Sequence, residues 1–347
     1  MKKTILITGG AGLVGSHAAE YFAKKGWKVV VLDSLSRSKL FKAARKSVEY
    51  NWKYLASFRN IKRIKGDIRD ERDVKCSLGK GVDAVLHTAG QPGVGFSIED
   101  PREDFSINAE GTLNVLESVR EISPKAAFLF CSTNKVYGEN VDKIPLVEGG
   151  SRYRFRRIGG VDENFPIDLA GHTPYGVSKY TADLYVQEYG HLYGMKTAVF
   201  RMSCIYGTRQ FGFEDQGWVA HFVIQSVRKR PLTIYGNGKQ VRDVLYVSDL
   251  VKAYEKFIQV GKGPVVFNIG GGPSQTTSLL EFISLLEKKL NAKLQLRFDA
   301  WRPSDQKVYI SDISKVQKDL HWHTSVPFEE GLERLIGWVK ENRKLFY

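Results

Sequence analysis

The chain has 347 residues, of which 42% are hydrophobic and 26% charged, a composition typical of a globular protein large enough for two lobes. Three cysteines, Cys76, Cys131 and Cys204, are too few and too scattered for a disulfide framework, and their spacing argues against a zinc site. Because no apolar run approaches the roughly 20 residues that cross a bilayer, and the N-terminal apolar stretch is too short for a signal peptide, we expect a cytoplasmic protein with no metal and no membrane partner.

The net charge is +14, from 52 basic and 38 acidic residues, and it favours anionic partners. Between Arg37 and Lys65, ten basic residues accompany a single acidic residue. A second basic cluster is formed by Arg152, Arg154, Arg156 and Arg157. Both clusters are interpreted as solvated faces, and we do not expect nucleic acid as a partner.

The N-terminal segment has the pattern of a dinucleotide-binding unit. A strand over 4–8 is followed by a glycine-rich turn, a helix over 16–25 and a strand over 28–32 that ends at Asp33. In this pattern Gly9 allows a tight turn, Gly12 lets the backbone approach a pyrophosphate, and Gly15 lets the helix pack closely on the sheet. Asp33 is placed to bind both ribose hydroxyls of NAD. Arg37 leaves NADP open, but Asp33 would repel a 2′-phosphate, so NAD is favoured.

Further strands are predicted over 61–64, 84–87, 127–131 and 197–201, each followed by small or polar residues. Such residues are typical of strand ends that line a crevice. The alternation predicts an α/β fold with a Rossmann-type doubly wound parallel sheet. After residue 205 the alternation weakens and arginines are expected in loops. We therefore predict an NAD-binding domain over 1–205 and a smaller C-terminal α/β substrate-binding lobe over 206–347, with part of 206–260 returning to the first domain.

The residues Tyr175 and Lys179 suggest acid–base chemistry. Pro174 suits the first turn of a helix, which places Tyr175 and Lys179 four residues apart on one face. A phenol is a poor base at neutral pH, but a nearby ammonium and an oxidised nicotinamide favour its ionised form. Tyr175 is then able to take a proton from a sugar hydroxyl, which Thr133 at the end of a strand hydrogen-bonds. His87 is expected to be structural, and His172 to lie near the sugar.

These motifs together resemble the extended short-chain dehydrogenase/reductase superfamily over nearly the whole chain. The resemblance is carried by the run 8–15, Asp33, the run 66–68, Tyr175 with Lys179, and the run 240–244. Within the superfamily, five runs are similar to the CDP-paratose 2-epimerases, also called CDP-tyvelose epimerases: 132–138, 209–211, 215–219, 236–243 and 301–306.

The resemblance implies three sets of functional residues. The expected catalytic residues are Thr133, Tyr175 and Lys179. NAD is expected to contact Gly9, Gly12, Leu13, Val14, Gly15, Asp33, Ser34, Ser36, Arg37, Asp67, Ile68, Thr88, Ala89, Gly90, Asn108, Cys131, Tyr175, Lys179, Met202 and Ser203. A nucleotide-diphosphate sugar is expected to contact Gln91, Ser97, Thr133, Asn134, Lys135, Cys204, Arg209, Gln216, Trp218, Val219, Tyr235, Arg242, Arg302 and Asp305.

The reaction implied is an epimerisation through a transient keto-sugar, which consumes no cofactor. A CDP-sugar is favoured and a UDP-sugar is possible; reaction at C2 and reaction at C4 both stay open. Asn134 and Lys135 stand where dehydratases of the superfamily carry an acidic pair, which disfavours loss of water, and Cys204 stands where many 4-epimerases have asparagine. A non-catalytic NAD-binding or RNA-binding member is a further alternative. By analogy, the helix that carries Tyr175 is expected to build a homodimer or homotetramer.

Overall fold

A computed structural model describes residues 2–37, 45–302 and 304–346. Lys39 and Lys42 of the first basic cluster, and Pro303 of the run 301–306, lie outside the described residues. The strands of the described part are β1 Thr4–Thr8, β2 Lys28–Asp33, β3 Ile61–Lys65, β4 Ala84–His87, β5 Ala127–Thr133, β6 Leu146–Glu148, β7 Tyr153–Phe155, β8 Thr197–Met202, β9 Cys204–Tyr206, β10 Leu232–Tyr235, β11 Val241–Tyr246, β12 Val265–Ile269, β13 Thr276–Ser278, β14 Leu296–Asp299 and β15 Val308–Tyr309.

Helices alternate with the strands through most of the chain. They are α1 Leu13–Lys24, α2 Arg45–Leu55, α3 Glu71–Leu78, α4 Val94–Glu99, α5 Pro101–Phe105, α6 Gly111–Ile122, α7 Pro174–Tyr193, α8 Trp218–Val227, α9 Val247–Val260, α10 Leu279–Leu290, α11 Ser314–Leu320 and α12 Phe328–Glu341. A π-helical turn over Ser106–Glu110 precedes α6, and 3₁₀ helices cover Asn134–Lys143 and Arg343–Phe346. None of the helices described is long and apolar enough to cross a membrane.

The main sheet has seven parallel strands in the order β12-β8-β5-β4-β1-β2-β3. Side chains alternate across it, so that Ile5 and Ile7 enter one apolar core and Leu6 enters the other. The first core contains residues of α1, α2, α9 and α11, and the second contains residues of α3, α6 and α7. The sheet is therefore covered by helices on both faces, and the prediction of a doubly wound parallel sheet is confirmed.

Two element boundaries differ from the prediction by more than one residue, and both differences fall at the cleft. Helix α1 begins at Leu13 rather than at residue 16, because Gly12 already adopts the extended conformation of an N-cap. Strand β5 continues to Thr133, two residues beyond its predicted end, because Ser132 and Thr133 keep their pairing with β8. Thr133 is thus held in the sheet at the carboxyl end of β5.

The second lobe is built on a small sheet in which β11 pairs with β9, β13 and β15. Its core packs α8, α10 and α12 together around residues such as Phe282 and Leu332. Arg242 lies in β11 and not in a loop as expected, because Val241 and Asp243 on either side of it point into the protein while its own side chain stays partly exposed. The chain returns to the main sheet through α9, inside the range expected to return, and β12, which lies beyond that range.

Candidate active site

The carboxyl edge of the main sheet and the second lobe enclose a cleft of about 440 Å³. Most of the predicted cofactor residues line it: Gly9, Gly12, Leu13, Val14, Gly15, Asp33, Ser34, Ser36, Arg37, Asp67, Ile68, Thr88, Ala89, Gly90, Tyr175, Met202 and Ser203. Half of the predicted substrate residues line it as well: Thr133, Asn134, Lys135, Cys204, Gln216, Trp218 and Val219. The two predicted sets therefore share one cavity.

The glycine turn packs closely on the neighbouring backbone and exposes the start of α1 to the cleft. Gly9 has φ +68°, and a Cβ there would lie 2.6 Å from the backbone nitrogen of Ala89. A Cβ on Gly15 would collide with the carbonyl oxygen of Gly9. Helix α1 begins directly after Gly12 with no side-chain cap, so its first-turn N–H groups are available to an anion. This arrangement suits the pyrophosphate of a dinucleotide.

Asp33 is fixed at the end of β2 by two backbone hydrogen bonds. Its carboxylate accepts from the N–H of Ala11 and from the N–H of Leu35, both at 2.8 Å. Burial raises the pKa of this carboxyl, while the two hydrogen bonds and the Arg37 charge act in the opposite direction. The carboxylate is held in one orientation on the cleft wall, where it can accept further hydrogen bonds from a ribose.

Arg37 is hydrogen-bonded to the opposite wall of the cleft. Its guanidinium donates a hydrogen bond of 2.6 Å to the side-chain oxygen of Gln216, in the loop before α8. Burial lowers the pKa of Arg37 to about 10, although Asp33 raises it. Because this guanidinium already binds Gln216, the geometry favours NAD over a 2′-phosphorylated cofactor.

Tyr175 lies in the first turn of α7, whose N-terminus is capped by the Thr173 hydroxyl accepting from the N–H of Gly176 at 3.3 Å. Its phenol lies beside the side chain of Thr133 on the cleft floor. Burial raises the pKa of Tyr175 to about 12, and Asp104 and Cys131 also raise it, while the Thr133 hydroxyl lowers it. The structure brings the expected proton acceptor and its hydroxyl partner together.

Lys179 lies one turn further along α7, where it is buried and does not line the cleft, with its ammonium 4.1 Å from the centre of the Phe130 ring. Burial lowers the pKa of Lys179 to about 8. The Thr133 hydroxyl favours the phenolate, and the positive ring of an oxidised nicotinamide would favour it further.

A buried polar network under α7 was not foreseen from the sequence. The carboxylate of Asp104 accepts hydrogen bonds from Gln91 at 2.8 Å, from Asn108 at 3.0 Å and from Ser178. Asn108 also donates to Ser178 at 3.1 Å. The network ties α5 and the π-helical turn to the helix that carries Tyr175. The spacing of Asp104 and Asn108, four residues apart, is the one sequence signal that pointed to it.

Several predicted contacts are used inside the protein and do not line the cleft. Gln91 and Asn108 belong to the network just described, and Ser97 is buried with its hydroxyl donating to the carbonyl of Val94 at 2.7 Å. The thiol of Cys131 is 3.0 Å from the hydroxyl of Tyr254. Their predicted ligand contacts are therefore not visible in this geometry.

Arg209, predicted to bind substrate, lies on the other side of α1. Its guanidinium forms an ion pair of 2.8 Å with Glu20 and lies 4.3 Å from the centre of the Tyr54 ring. The backbone of Arg209 has φ +58°, and the side chain is almost fully buried. We interpret it as a structural residue that ties the second lobe to α1.

Two predicted histidines have protein partners. His87 bonds the hydroxyls of Thr8 at 2.7 Å and Thr112 at 3.0 Å, in accord with a structural role. The ring of His172 is 2.9 Å from the carbonyl of Ile167, so one of its nitrogens is committed to the loop.

The remaining predicted substrate residues form an arginine-rich wall next to the cleft. Arg242 pairs with Asp305 at 2.6 Å. Arg302 lies 3.8 Å from the centre of the Tyr235 ring and within 3.4 Å of Asp215, which itself lines the cleft. The main cavity is not lined by Arg242, Asp305, Arg302 or Tyr235. Lys135 does line it, and its ammonium donates a hydrogen bond to the carbonyl of Ser304 at 3.2 Å. The wall is therefore continuous with the cleft.

The sequence analysis missed some residues that line the cavity. They are Ala11, Leu32, Gly66, Arg69, Pro92, Val94, Ile107, Ile205, Gln210, Asp215 and Gly217. Arg69 is notable among them because its guanidinium binds both carboxylate oxygens of Asp67, at 2.8 and 3.1 Å. No group of three or more potential metal ligands is found in the described residues.

Comparison with known proteins places these features in a family. Residues 5–270 match the model of the NAD dependent epimerase/dehydratase family. The chain is 38% identical to CDP-paratose 2-epimerase of Salmonella typhi over 344 residues, which cover 96% of this chain and 98% of that protein. It is 32% identical to a putative UDP-glucose 4-epimerase of Methanocaldococcus jannaschii, over 98% of this chain and 99% of that protein.

Solved structures give the same result. The UDP-glucuronic acid 4-epimerase of Bacillus cereus, in complex with UDP-glucuronic acid and NAD, superimposes with a TM-score of 0.82 at 28% identity, over 97% of this chain and 99% of that chain. The glycine turn, Asp33 and the cleft that they border in this chain fit the same dinucleotide.

Proposed function

Because the chain belongs to the NAD-dependent epimerase/dehydratase family, with NAD as its cofactor, we propose that it is a nucleotide-sugar epimerase with Thr133, Tyr175 and Lys179 as its catalytic residues. One carbon of the sugar is inverted by transient oxidation to a ketone and reduction on the opposite face. The observation that carries this proposal is the proximity of the Thr133 side chain to the Tyr175 phenol, whose pKa it lowers, at the floor of a cleft that also contains the glycine turn.

Each of the three residues has a separate task. Tyr175 accepts the hydroxyl proton as the carbon is oxidised and returns it on reduction. Thr133 holds the reacting hydroxyl beside Tyr175, and Lys179 supports the cofactor ribose from beneath. When bound, NAD supplies the hydride acceptor and, in its oxidised form, a positive ring that favours the phenolate.

The substrate that we favour is a CDP-linked hexose, inverted at C2. This follows from the 38% identity to CDP-paratose 2-epimerase across nearly all of both chains. Asn134 and Lys135 line the cleft where an acidic pair would serve a dehydratase, which supports epimerisation over loss of water. The second candidate is 4-epimerisation of a UDP-hexose, favoured by the likeness to the enzyme that binds UDP-glucuronic acid.

The presence of a complete catalytic set argues against the alternative of a non-catalytic NAD-binding or RNA-binding protein. Arg152 of the second basic cluster supports this, because its guanidinium is ion-paired with Glu281 and is not available to a phosphate chain. A filter-binding measurement with RNA at physiological salt would detect binding if that alternative were correct.

An apolar face of α7 supports self-association. Val177, Leu184, Tyr185, Leu192 and Tyr193 of α7 are between 42% and 64% exposed, and Ile98 and Phe105 of the neighbouring short helices are about half exposed. So many large apolar side chains on one side of a protein are typical of an interface. We propose that two copies of α7 meet here in a homodimer, which can pair further into a tetramer.

Product analysis tests the function. The protein is incubated with CDP- and UDP-linked hexoses, and the products are examined by NMR for inversion at C2 or C4. Inversion of a CDP-sugar at C2 supports the favoured substrate, and inversion of a UDP-sugar at C4 supports the second candidate. Absence of any inverted product, with NAD bound, would show that the chain is not an epimerase of these sugars.

A further inference from the structure

Lys135 is a cation on the cleft wall that lacks a carboxylate partner. Its ammonium donates to the carbonyl of Ser304 at 3.2 Å, and no acidic side chain among the described residues forms an ion pair with it. Two carboxylates, Asp305 and Asp142, act on this ammonium from beyond ion-pair distance, and Asp305 is itself paired with Arg242 at 2.6 Å. Burial lowers the pKa of Lys135, and Arg242 lowers it further. A charge of this kind is stabilised when an anion enters the cleft.

The backbone of Lys135 is fixed relative to Thr133, the residue proposed to hold the reacting hydroxyl of the sugar. Its backbone N–H donates to the hydroxyl oxygen of Thr133 at 3.2 Å, at the junction between β5 and the following 3₁₀ helix. The same Thr133 side chain lies beside the phenol of Tyr175. The backbone of Lys135 therefore belongs to the turn that carries Thr133, and its side chain lines the cleft from that turn.

The chemistry of a nucleotide sugar decides what such a cation would meet. C2 is bonded to the anomeric carbon, which carries the phosphate, whereas C4 lies on the opposite side of the ring. When C2 faces Tyr175, the sugar-linked phosphate comes close to the catalytic pair. When C4 faces Tyr175, that phosphate points away and only uncharged parts of the sugar come close.

We propose that Lys135 binds the sugar-linked phosphate of the substrate and so presents C2, rather than C4, to Tyr175. The inference rests on the proposed function as a nucleotide-sugar epimerase and adds the residue that selects the carbon. Arg242, on the adjoining wall, then contacts the diphosphate from the other side. A point-charge ammonium suits this place because it can reach one phosphate without the fixed geometry of a guanidinium.

The test compares nucleoside monophosphates with diphosphates, because the second phosphate of a diphosphate is the one that carries the sugar. Lys135→Met and Lys135→Arg are made together with Lys143→Met, which removes an exposed charge from the same 3₁₀ helix. CMP, CDP, UMP and UDP are titrated by calorimetry into each protein with NAD bound. We expect Lys135→Met to weaken diphosphate binding about tenfold or more and monophosphate binding less than about twofold. The diphosphate affinity of Lys135→Arg should lie between those of Lys135→Met and the parent. Lys143→Met should bind all four nucleotides as the parent does.

The outcomes separate this inference from the proposed function. Two results would show that the phosphate contact is wrong while the epimerase function stands. In one, Lys135→Met binds diphosphates as tightly as the parent does. In the other, its affinity for monophosphates falls as much as its affinity for diphosphates. If the parent binds none of the four nucleotides, both are wrong. Product NMR completes the test: inversion of the parent's substrate at C4 overturns the selection of C2, and a fall in kcat/KM for C2 inversion in Lys135→Met supports it. A Lys135→Met protein that fails to fold leaves Lys135→Arg, for which unchanged diphosphate binding and unchanged kcat/KM would overturn the inference.

Discussion

The side chain of Thr133, the last residue of β5, lies beside the phenol of Tyr175 in the first turn of α7 and lowers the pKa of that phenol. The two residues come from elements that pack directly on each other, so their relative position is set by the fold and not by a mobile loop. Burial raises the pKa of Tyr175 to about 12, so the phenol is protonated at neutral pH in the protein alone. The positive ring of oxidised NAD, when bound, would favour its ionised form.

The first prediction concerns this phenol. Tyr175→Phe keeps the ring and removes the proton acceptor, so turnover should fall by about 10²–10⁴-fold while NAD and nucleotide binding stay near the parent values. Tyr185→Phe, on the exposed side of the same helix, is the matched control and should be fully active. Steady-state rates from product NMR measure the effect. Turnover of Tyr175→Phe within about tenfold of the parent would refute the role of Tyr175.

The second prediction concerns the choice of cofactor. The purified protein should carry NAD(H) and not NADP(H), because the Asp33 carboxylate is oriented by Ala11 and Leu35 and repels a 2′-phosphate. Asp33→Ala should weaken NAD binding about tenfold or more, since a hydrogen bond to a charged group is worth about 1.5–3 kcal/mol. Asp33→Asn, which keeps the size and one acceptor oxygen, separates the charge from the shape.

Mass spectrometry of the cofactor released on denaturation identifies it, and calorimetry gives the affinities. Asp319→Ala, which removes an exposed carboxylate on α11, should bind NAD as the parent does. NADP(H) as the main released cofactor would contradict the assignment of Asp33.

The features that the sequence predicts well are those made by neighbouring residues. The glycine turn, Asp33 and the pair Tyr175 and Lys179 each lie within one βα unit or one helix, where spacing determines geometry. The predicted strand ends lie within two residues of the observed ends for the same reason, because each buried strand is a continuous apolar run.

Features that depend on tertiary contacts cannot be predicted from the sequence in this way. Arg209 carries a charge suited to phosphate, but Glu20, distant in sequence, binds it on the far side of α1. Gln91 was expected to touch the sugar, and the buried carboxylate of Asp104 takes its side-chain N–H instead. A polar side chain near a strand end predicts a cleft residue only when no buried partner competes for it.

The third prediction concerns stability at low pH. Burial lowers the pKa of His87 to about 3, and the charge of Lys179 acts in the same direction. The folded protein thus holds this histidine neutral, whereas the unfolded chain protonates it near its ordinary pKa of about 6.5. The contribution to stability is complete above that pH and is lost as the pH falls toward 3, with a slope of at most about 1.4 kcal/mol per pH unit.

The free energy of unfolding from urea titrations between pH 7 and about pH 4.5 measures this slope. His87→Gln removes one titrating group, so its stability should decrease less steeply with falling pH than that of the parent. His191→Gln, an exposed histidine in the last turn of α7, should leave the slope unchanged. Parallel curves for His87→Gln and the parent would contradict the prediction.

The fourth prediction concerns the apolar face of α7. Leu184 is 47% exposed there, so replacing it with arginine places a charge in the proposed interface. Burying an unpaired charge is strongly unfavourable, and Leu184→Arg should therefore shift the protein to monomers in analytical ultracentrifugation. Val260→Arg, a similarly exposed apolar position at the end of α9, should leave the oligomeric state unchanged. A parent protein that is monomeric at all concentrations would contradict the interface itself.

The last prediction concerns Arg242 and the diphosphate of the substrate. The guanidinium lies in β11, where one nitrogen pairs with Asp305 at 2.6 Å and another donates to the carbonyl of Val241 at 2.8 Å. These contacts hold its plane fixed next to Lys135, and the side chain is 12% exposed, which leaves an edge for a ligand. A fixed guanidinium of this kind suits a diphosphate, whose oxygens accept paired hydrogen bonds.

The reacting sugar is uncharged, so contacts to the distant phosphates must supply much of the energy that positions it. Arg242→Lys keeps the charge and loses the planar donor pair, and it should raise the Kd for a nucleoside diphosphate several-fold. Arg242→Ala should cost more, on the order of 2–5 kcal/mol, because it also leaves Asp305 without its partner beside the ligand. Asp305→Asn isolates that second effect. NAD content should stay constant in all three variants, because we expect the pyrophosphate of the cofactor at the glycine turn between Gly9 and Gly15. Calorimetric titration with CDP and UDP measures the affinities. If Arg242→Ala binds both as tightly as the parent, or loses NAD instead, the second lobe does not bind the diphosphate.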